Sequence, residues 1–125
     1  MYYLCKMEAE GIKIRDLVYT DEFKEFYSLL NERAKDKFAD YLSVLRTVYV
    51  LNTKVVKKLV NTDRLYELRV SVGHNEYRSI IFSVNHENII QATEIILLNG
   101  FLKKDTKDYD KQIKKSINIL KDLEL

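Results

Sequence analysis

The sequence is short of several residue types, and each shortage narrows the kind of protein it encodes. Its 125 residues include one cysteine, three glycines, no proline and no tryptophan. The lone Cys5 can form neither an internal disulfide nor a cysteine-based structural zinc site, which agrees with a reducing compartment. Because no Pro-rich or Gly/Ser-rich linker divides the chain, we expect one domain over residues 1–125, with residues 1–11 as an extension of unknown structure.

Strong charge and long apolar runs are also lacking. The formal net charge is +2, from 21 Lys and Arg against 19 Asp and Glu. A protein held to nucleic acid mainly by phosphate contacts is usually much more basic, which counts against a simple RNA-binding module. No apolar run approaches the length needed to span a bilayer, and the first six residues are too short for a signal-peptide core. We therefore expect a cytoplasmic protein with no membrane contact.

The centre of the chain, residues 65–104, has the clearest pattern. Three runs of β-branched and aromatic residues, separated by Gly and Asn clusters, are typical of an antiparallel three-strand meander. In the first run, apolar and polar positions alternate: Tyr66, Leu68, Val70 and Val72 against Glu67, Arg69 and Ser71. Since side chains alternate across a strand, one face is expected to join the core and the other to carry charge.

The hairpin register decides whether these charges meet. If residues 73–76 form the loop, Arg78 lies diagonally across from Arg69 on the charged face. Lys103 and Lys104 follow the third strand, where the chain leaves the sheet. Two arginines, a glutamate and a lysine pair are therefore expected at one end of one sheet face.

The flanking segments predict a strand and three helices. Residues 12–19 are expected to form a first strand. A helix capped by Thr20 or Asp21 follows, and after a break near Asn31 a second helix runs to about Leu51. A final helix is expected to start at Asp108 or Asp110. We thus expect an α+β fold: an N-terminal strand, a helical hairpin, the meander and a C-terminal helix.

The motifs of the commonest catalytic sites are missing. The sequence has no Gly-rich phosphate loop, no recognisable Ser/His/Asp order and no ligand spacing suited to a metal. We therefore expect no cofactor and no metal. His74 and His86 fall in predicted turns among polar neighbours and are expected to be exposed.

Three motifs, taken in order, make the chain resemble the RelE/ParE superfamily of toxins from toxin–antitoxin pairs. They are Leu-Tyr-Glu-Leu-Arg at residues 65–69, Tyr-Arg at 77–78 and Gly-Phe-Leu-Lys-Lys at 100–104. The nearest resemblance is to the phage-related HigB-like branch, and it spans residues 14–123. It implies a RelE-like fold and a metal-independent, ribosome-dependent mRNA endonuclease. It also implies three partners: a helix-turn-helix antitoxin, the ribosome and mRNA.

Cleaving RNA through its 2′-hydroxyl without a metal needs a base, cations at the phosphate and an acid for the leaving oxygen. Arginines suit the second task and cannot be bases at neutral pH. Glu67 is either the base or an ion-pair partner. Lys103 or Lys104 either neutralises phosphate charge or transfers a proton, and Tyr109 positions or protonates the leaving group.

The resemblance assigns the same set. It places basic catalytic residues at Arg69, Arg78, Lys103 and Lys104, a tyrosine at Tyr109 and the HigB-like glutamate at Glu67. Lys57, Lys58 and Lys107 are expected to contact RNA. After the lysine pair the branch has Thr-Gln-Lys-Thr-Pro, whereas residues 105–109 here read Asp-Thr-Lys-Asp-Tyr, and the two acids reduce the local positive field.

Two other functions stay open at this point. One is a ParE-like protein that inhibits gyrase by binding, and the other is an inactive module whose partner is its antitoxin. The Tyr-Arg and Lys-Lys motifs favour the nuclease over the gyrase inhibitor, because gyrase binding does not need groups that stabilise a phosphate.

Overall fold

The structure, a computed structural model, describes residues 2–4 and 12–123. These residues form one mixed sheet with strand order β1-β2-β6-β5-β4-β3 and three helices. In chain order the elements are β1 (Tyr2–Leu4), β2 (Asp16–Thr20), α1 (Asp21–Ser28), α2 (Glu32–Thr47), β3 (Val56–Lys58), β4 (Leu65–Val72), β5 (Asn75–Ser83), β6 (Glu94–Leu102) and α3 (Thr106–Asp122). Only β2 and β6 pair in parallel among the described strands. The expected α+β fold with a helical hairpin and a meander is confirmed.

Both faces of the sheet are covered by helices. α1 and α2 pack on one face, where Phe23, Phe38 and Leu42 meet apolar side chains of β4 and β6. α3 packs on the other face, where Ile119 lies against Ile80 and Ile96. Because β6 is buried on both sides, its sequence reads as a nearly continuous apolar run instead of an alternating one.

Each helix begins at a side-chain cap. Thr20 Oγ1 accepts the Phe23 amide at 3.1 Å, and Asn31 Oδ1 accepts the Ala34 amide at 2.9 Å. These caps confirm the predicted start of α1 and the break before α2. The start predicted for the last helix was wrong: Asp105 caps α3, so the helix begins at Thr106.

The first strand is shorter than residues 12–19. Ile12 is 84% exposed, and the amides of Ile14 and Arg15 donate to the carbonyl of Arg46 at 2.7 and 3.1 Å. These bonds tie the segment to the end of α2, so the strand starts only at Asp16. Of the N-terminal extension, β1 pairs antiparallel with β2, and residues 5–11 lie outside the described part of the chain.

α2 ends at Thr47 and not near Leu51. The buried guanidinium of Arg15 donates to the carbonyls of Leu45, Val48 and Tyr49 at 2.6–2.9 Å. It therefore satisfies carbonyls that a continuing helix would otherwise have bonded.

The β4–β5 hairpin is tighter than predicted. Val72 pairs with Asn75, so the loop is the two residues Gly73 and His74, with Gly73 at a φ of +60°. A positive φ at the first loop position suits tight hairpins of the II′ kind. The predicted register is wrong by two residues, an even number that keeps every side chain on its predicted face. As a result Arg78 lies directly opposite Arg69, not diagonal to it.

A β-bulge in β6 sets which face its last residues occupy. Ile80 pairs with Asn99 and Ile81 with Leu97, which leaves Leu98 as the extra residue. Leu98 and Asn99 both face α3, since Leu98 joins the cluster on that side and Asn99 accepts from Ser116 at 2.5 Å. The bulge reverses the alternation that follows it, which is why Phe101 also faces α3.

Candidate active site

Two acids and two arginines of β4 and β5 lie on the sheet face that α3 covers. Two arginines directly opposite one another repel unless acids intervene. Here Glu67 lies two residues before Arg69, and Glu76 lies two residues before Arg78. Glu67 Oε1 accepts from Arg69 Nε at 2.6 Å, and Glu76 Oε2 lies 3.3 Å from Arg78 Nη1. The two carboxylates offset the repulsion between the arginines, so both arginines can occupy the same face of the sheet.

Glu67 is the centre of this group. The residue is 3% exposed, and its two carboxylate oxygens contact different elements. Oε1 is bonded to Arg69 and lies 3.9 Å from Arg78 Nε, while Oε2 accepts the hydroxyl of Tyr109 from α3. A buried carboxylate needs such partners, because leaving it unpaired would be costly.

Tyr109 keeps its phenolic proton over a wide pH range. Burial raises the pKa of Tyr109 well above its ordinary value, and the hydrogen bond and charge of Glu67 raise it further. Phe101 packs edge-on against the ring, with centroids 6.0 Å apart. At neutral pH the residue is therefore a neutral donor to Glu67, held in place from two sides.

An open cleft of about 610 Å³ lies beside this group, between β3, β4 and the start of α3. Its charged and polar lining comes from Glu67, Arg69, Tyr109, Lys57, Lys58, Thr62, Lys103, Lys104, Asp105, Thr106 and Asp110. Lys57 pairs directly with Glu67 across β3 and β4, so both occupy the same face. Within the described residues, the side chain of Arg69 donates only to Glu67, through Nε, so the Nη groups of that guanidinium are free to bind an anion.

The start of α3 brings the lysine pair to the cleft. The amide of Lys103 donates to the carbonyl of Glu76 at 2.7 Å, which fixes the chain as it leaves the sheet. Lys103 Nζ lies 5.9 Å from the centre of the Tyr109 ring. Asp105 Oδ1 accepts the Asp108 amide at 2.7 Å. Asp105, one of the two acids noted in the sequence, is therefore the cap that orients Tyr109.

The predicted residues do not all reach the cleft. Those that line the cleft are Glu67, Arg69, Tyr109 and the pairs Lys57/Lys58 and Lys103/Lys104. Arg78 is buried and does not line it, although it belongs to the same ionic group. Lys107 is exposed on α3 and lies outside the cleft. His74 and His86 are exposed, as expected.

Glu76 is a site residue that the sequence reasoning missed. Its carboxylate accepts from Ser71 Oγ at 2.7 Å and from Arg78, and its carbonyl holds Lys103. The Ser71 hydrogen bond, aided by the nearby Arg78, lowers the pKa of Glu76. The signal was present, since Glu76 stands two residues before Arg78 as Glu67 does before Arg69, but the wrong register placed Glu76 in the loop.

The family of the chain can be assigned from comparison with known proteins. Residues 24–121 match the family described as phage derived protein Gp49-like (DUF891), and this range contains every residue of the site. The chain belongs to the Gp49-like family. That family is associated with the toxins of toxin–antitoxin pairs, which agrees with the resemblance carried by the three motifs. No curated protein and no solved structure gave a significant match to this Gp49-like chain.

Among residues 2–4 and 12–123, no helix is both long enough and apolar enough to cross a membrane. In the same residues, no three His, Cys, Asp or Glu side chains gather in a way that could hold a metal ion.

Proposed function

We propose that this Gp49-like chain is a HigB-like toxin that cleaves mRNA on the ribosome, through attack of a 2′-hydroxyl on the neighbouring phosphate. The observation that carries the proposal is the convergence of Glu67, Arg69 and Tyr109 at one cleft, with Lys57 and Lys103 on its walls. These groups supply the three tasks of such a reaction: proton removal, charge stabilisation and protonation of the leaving oxygen.

Charge stabilisation falls to Arg69 and the lysines. The Nη groups of Arg69 are free for a phosphate, and its Nε is held by Glu67. A guanidinium fixed in this way matches phosphate oxygens without losing further side-chain freedom. Arg78 acts as a positioning residue, because it is buried between Glu67 and Glu76.

Proton removal falls to Glu67 acting through Tyr109. The Tyr109 hydroxyl donates to Glu67, so its oxygen can accept the proton of a 2′-hydroxyl while its own proton passes to Glu67. The neutral phenol suits this exchange, since no phenolate has to form first. Tyr109 is less suited to protonate the leaving group, because its proton is already committed to the carboxylate.

The 2′-oxygen bonds to phosphorus, the bond from phosphorus to the 5′-oxygen breaks, and that oxygen takes a proton from Lys103 or Lys104. The products are a 2′,3′-cyclic phosphate and a 5′-hydroxyl end.

The same proposal includes a helix-turn-helix antitoxin and a cytoplasmic location, on the ground of the family and the resemblance.

Mapping mRNA ends in cells tests the function. Arg69→Gln removes the charge facing the cleft yet keeps a donor for Glu67, so the fold should survive. We expect wild-type induction to give codon-phased 5′ ends on translated mRNA, and Arg69→Gln to reduce them about 100-fold or more. Lys115→Gln, an exposed position on α3 away from the cleft, is the matched control and should cut like wild type.

Three results would overturn the proposal. Intact mRNA with toxicity and a DNA-damage response would indicate gyrase inhibition. Intact mRNA without toxicity would indicate an inactive antitoxin-binding module. Unchanged cutting by a folded Arg69→Gln variant would remove the cleft from the reaction.

A further inference from the structure

The cleft has an apolar wall as well as a cationic one. Leu59, Val60 and Ile113 line it together with Arg69 and Lys103. Leu59 is buried and Ile113 is partly buried, but the side chain of Val60 is 81% exposed. An isolated apolar residue on a surface is ordinary. Val60 differs because it lies with Leu59 and Ile113 in the lining of the proposed active site, where its side chain is open to a ligand.

An ordered turn holds Val60 in that position. The amide of Leu59 donates to the carbonyl of Leu65 at 3.0 Å, and Thr62 Oγ1 donates to the carbonyl of Leu59 at 2.8 Å. Between them Asn61 has a φ of +62°, in the left-handed region that asparagine tolerates better than most residues. The turn is fixed on both sides of Val60, so the exposure of this side chain is a feature of the fold.

We propose that the cleft binds one nucleotide of RNA, with the base against Val60 and Ile113 and the phosphate against Arg69 and Lys103. A bare anion, such as inorganic phosphate, would use only the cationic wall. A nucleotide uses both walls, because a base presents a flat and weakly polar face beside a charged group. The volume of about 610 Å³ lies in the range of small-molecule sites.

Val60 is then the residue that sets base preference, and it takes no part in bond breaking. This inference rests on the proposed function only in taking RNA as the ligand. A single apolar side chain in a binding site changes the relative affinity for two similar ligands only modestly. We therefore expect Val60 to tune which nucleotide is preferred without deciding whether phosphate binds.

Equilibrium binding of small ligands tests the inference without any cleavage. The probes are the four nucleoside 3′-monophosphates and inorganic phosphate, titrated into the full-length protein and followed by calorimetry or NMR. We expect at least one nucleotide to bind about tenfold or more tightly than inorganic phosphate. Val60→Ser should weaken that nucleotide about three- to tenfold and leave inorganic phosphate unchanged.

Two comparisons sharpen the result. Val60→Ile keeps the apolar surface and should bind nucleotide like wild type. Val50→Ser changes a valine that is 69% exposed and outside the cleft, and it should have no effect on either ligand. Equal affinity for nucleotide and phosphate, no binding of either at millimolar concentration, or a Val60→Ser variant that weakens neither would each overturn the inference.

The outcomes separate this inference from the proposed function. Nucleotide binding that depends on Val60, in a protein that cuts no mRNA, would support the inference and contradict the function. Codon-phased cutting, with a nucleotide affinity that Val60→Ser leaves unchanged, would support the function and contradict the inference.

Discussion

At the scale of single residues, burial and the contact with Glu67 explain how Tyr109 stays protonated beside several cations. Arg69 and Arg78 each lower the pKa of Tyr109, but burial and the Glu67 carboxylate outweigh them. The phenol is therefore neutral when folded, whereas an exposed tyrosine titrates near pH 10.

The raised pKa of Tyr109 makes part of the stability depend on alkaline pH. Because the pKa is higher in the folded state, this contribution is complete below about pH 10 and is lost as the unfolded chain releases the proton first. We expect the free energy of unfolding of the wild type to fall more steeply above about pH 10 than that of Tyr109→Phe. Urea unfolding from pH 8 to 11 measures both slopes, and parallel slopes would contradict the raised pKa of Tyr109.

Arg15 is the residue whose importance the sequence does not reveal. Its side chain is 1% exposed, and besides the carbonyls at the end of α2 it donates to those of Ile89 and Ile90 at 3.2 and 3.0 Å. Burial lowers the pKa of Arg15. With five carbonyl acceptors, this guanidinium joins the segment just before β2 to the end of α2 and to the loop before β6.

Arg15→Met should therefore destabilise the fold severely. The substitution keeps much of the side-chain length but leaves several buried carbonyls unbonded, and we expect a loss of about 3–5 kcal/mol in the free energy of unfolding. Lys13→Met is the control, because Lys13 is exposed and its ion pair with Asp16 is worth about 1 kcal/mol or less. Equal losses in the two variants would refute the role of Arg15.

At the scale of elements, α1 rests on β6 where β6 has no side chain. A Cβ at Gly100 would lie 2.2 Å from Cδ2 of Phe26. The Phe26 ring also meets Phe38 and Tyr77 edge-on at 5.5 and 6.1 Å. Gly100 thus allows the aromatic cluster of the helical hairpin to contact the strand backbone directly.

Gly100→Ala should push α1 off this strand. Overpacking of this kind costs about 1–3 kcal/mol, which we expect to see as a lower unfolding midpoint in urea. In a Phe26→Ala background the same change should cost almost nothing, because the clashing ring is gone. A cost that is equal in both backgrounds would show that Phe26 is not the cause.

Periodicity predicted these elements well and their ends less well. The aromatic stripe of α1 and the alternation in β4 are local patterns, so helix positions and strand faces were legible. The β6 bulge, the Asp105 cap and the two-residue hairpin loop depend on partners distant in sequence or on a choice among similar turns. β3 was not predicted as a strand, because its three residues carry too little pattern.

The candidate site shows the same division. Glu67, Arg69 and Tyr109 were predicted from motifs, and the even register error kept Arg78 on their face. The sequence could not predict which of the expected residues would reach the cleft: Arg78 is buried, and Lys107 lies outside the cleft. Both depend on how α3 covers the sheet, which is a property of packing.

At the scale of the whole molecule, the two sides of the sheet differ in charge, although the net charge of the chain is small. The net charge is only +2, yet α1 carries three acids and one lysine on one side. Residues 103–122, on the α3 side, carry four aspartates against seven exposed lysines: Lys103, Lys104, Lys107, Lys111, Lys114, Lys115 and Lys121. A weakly charged protein can therefore present a positive face to an anionic polymer.

The central claim is that Glu67 and Tyr109 work as one proton path at a phosphate bound in the cleft. Single-turnover cleavage of mRNA on purified ribosomes tests it most directly, using wild type, Glu67→Gln, Tyr109→Phe and the double variant. We expect each single substitution to slow cleavage about 100-fold and the double variant to be no slower than the worse single one. Losses that multiply in the double variant, or wild-type rates in either folded single variant, would contradict the claim.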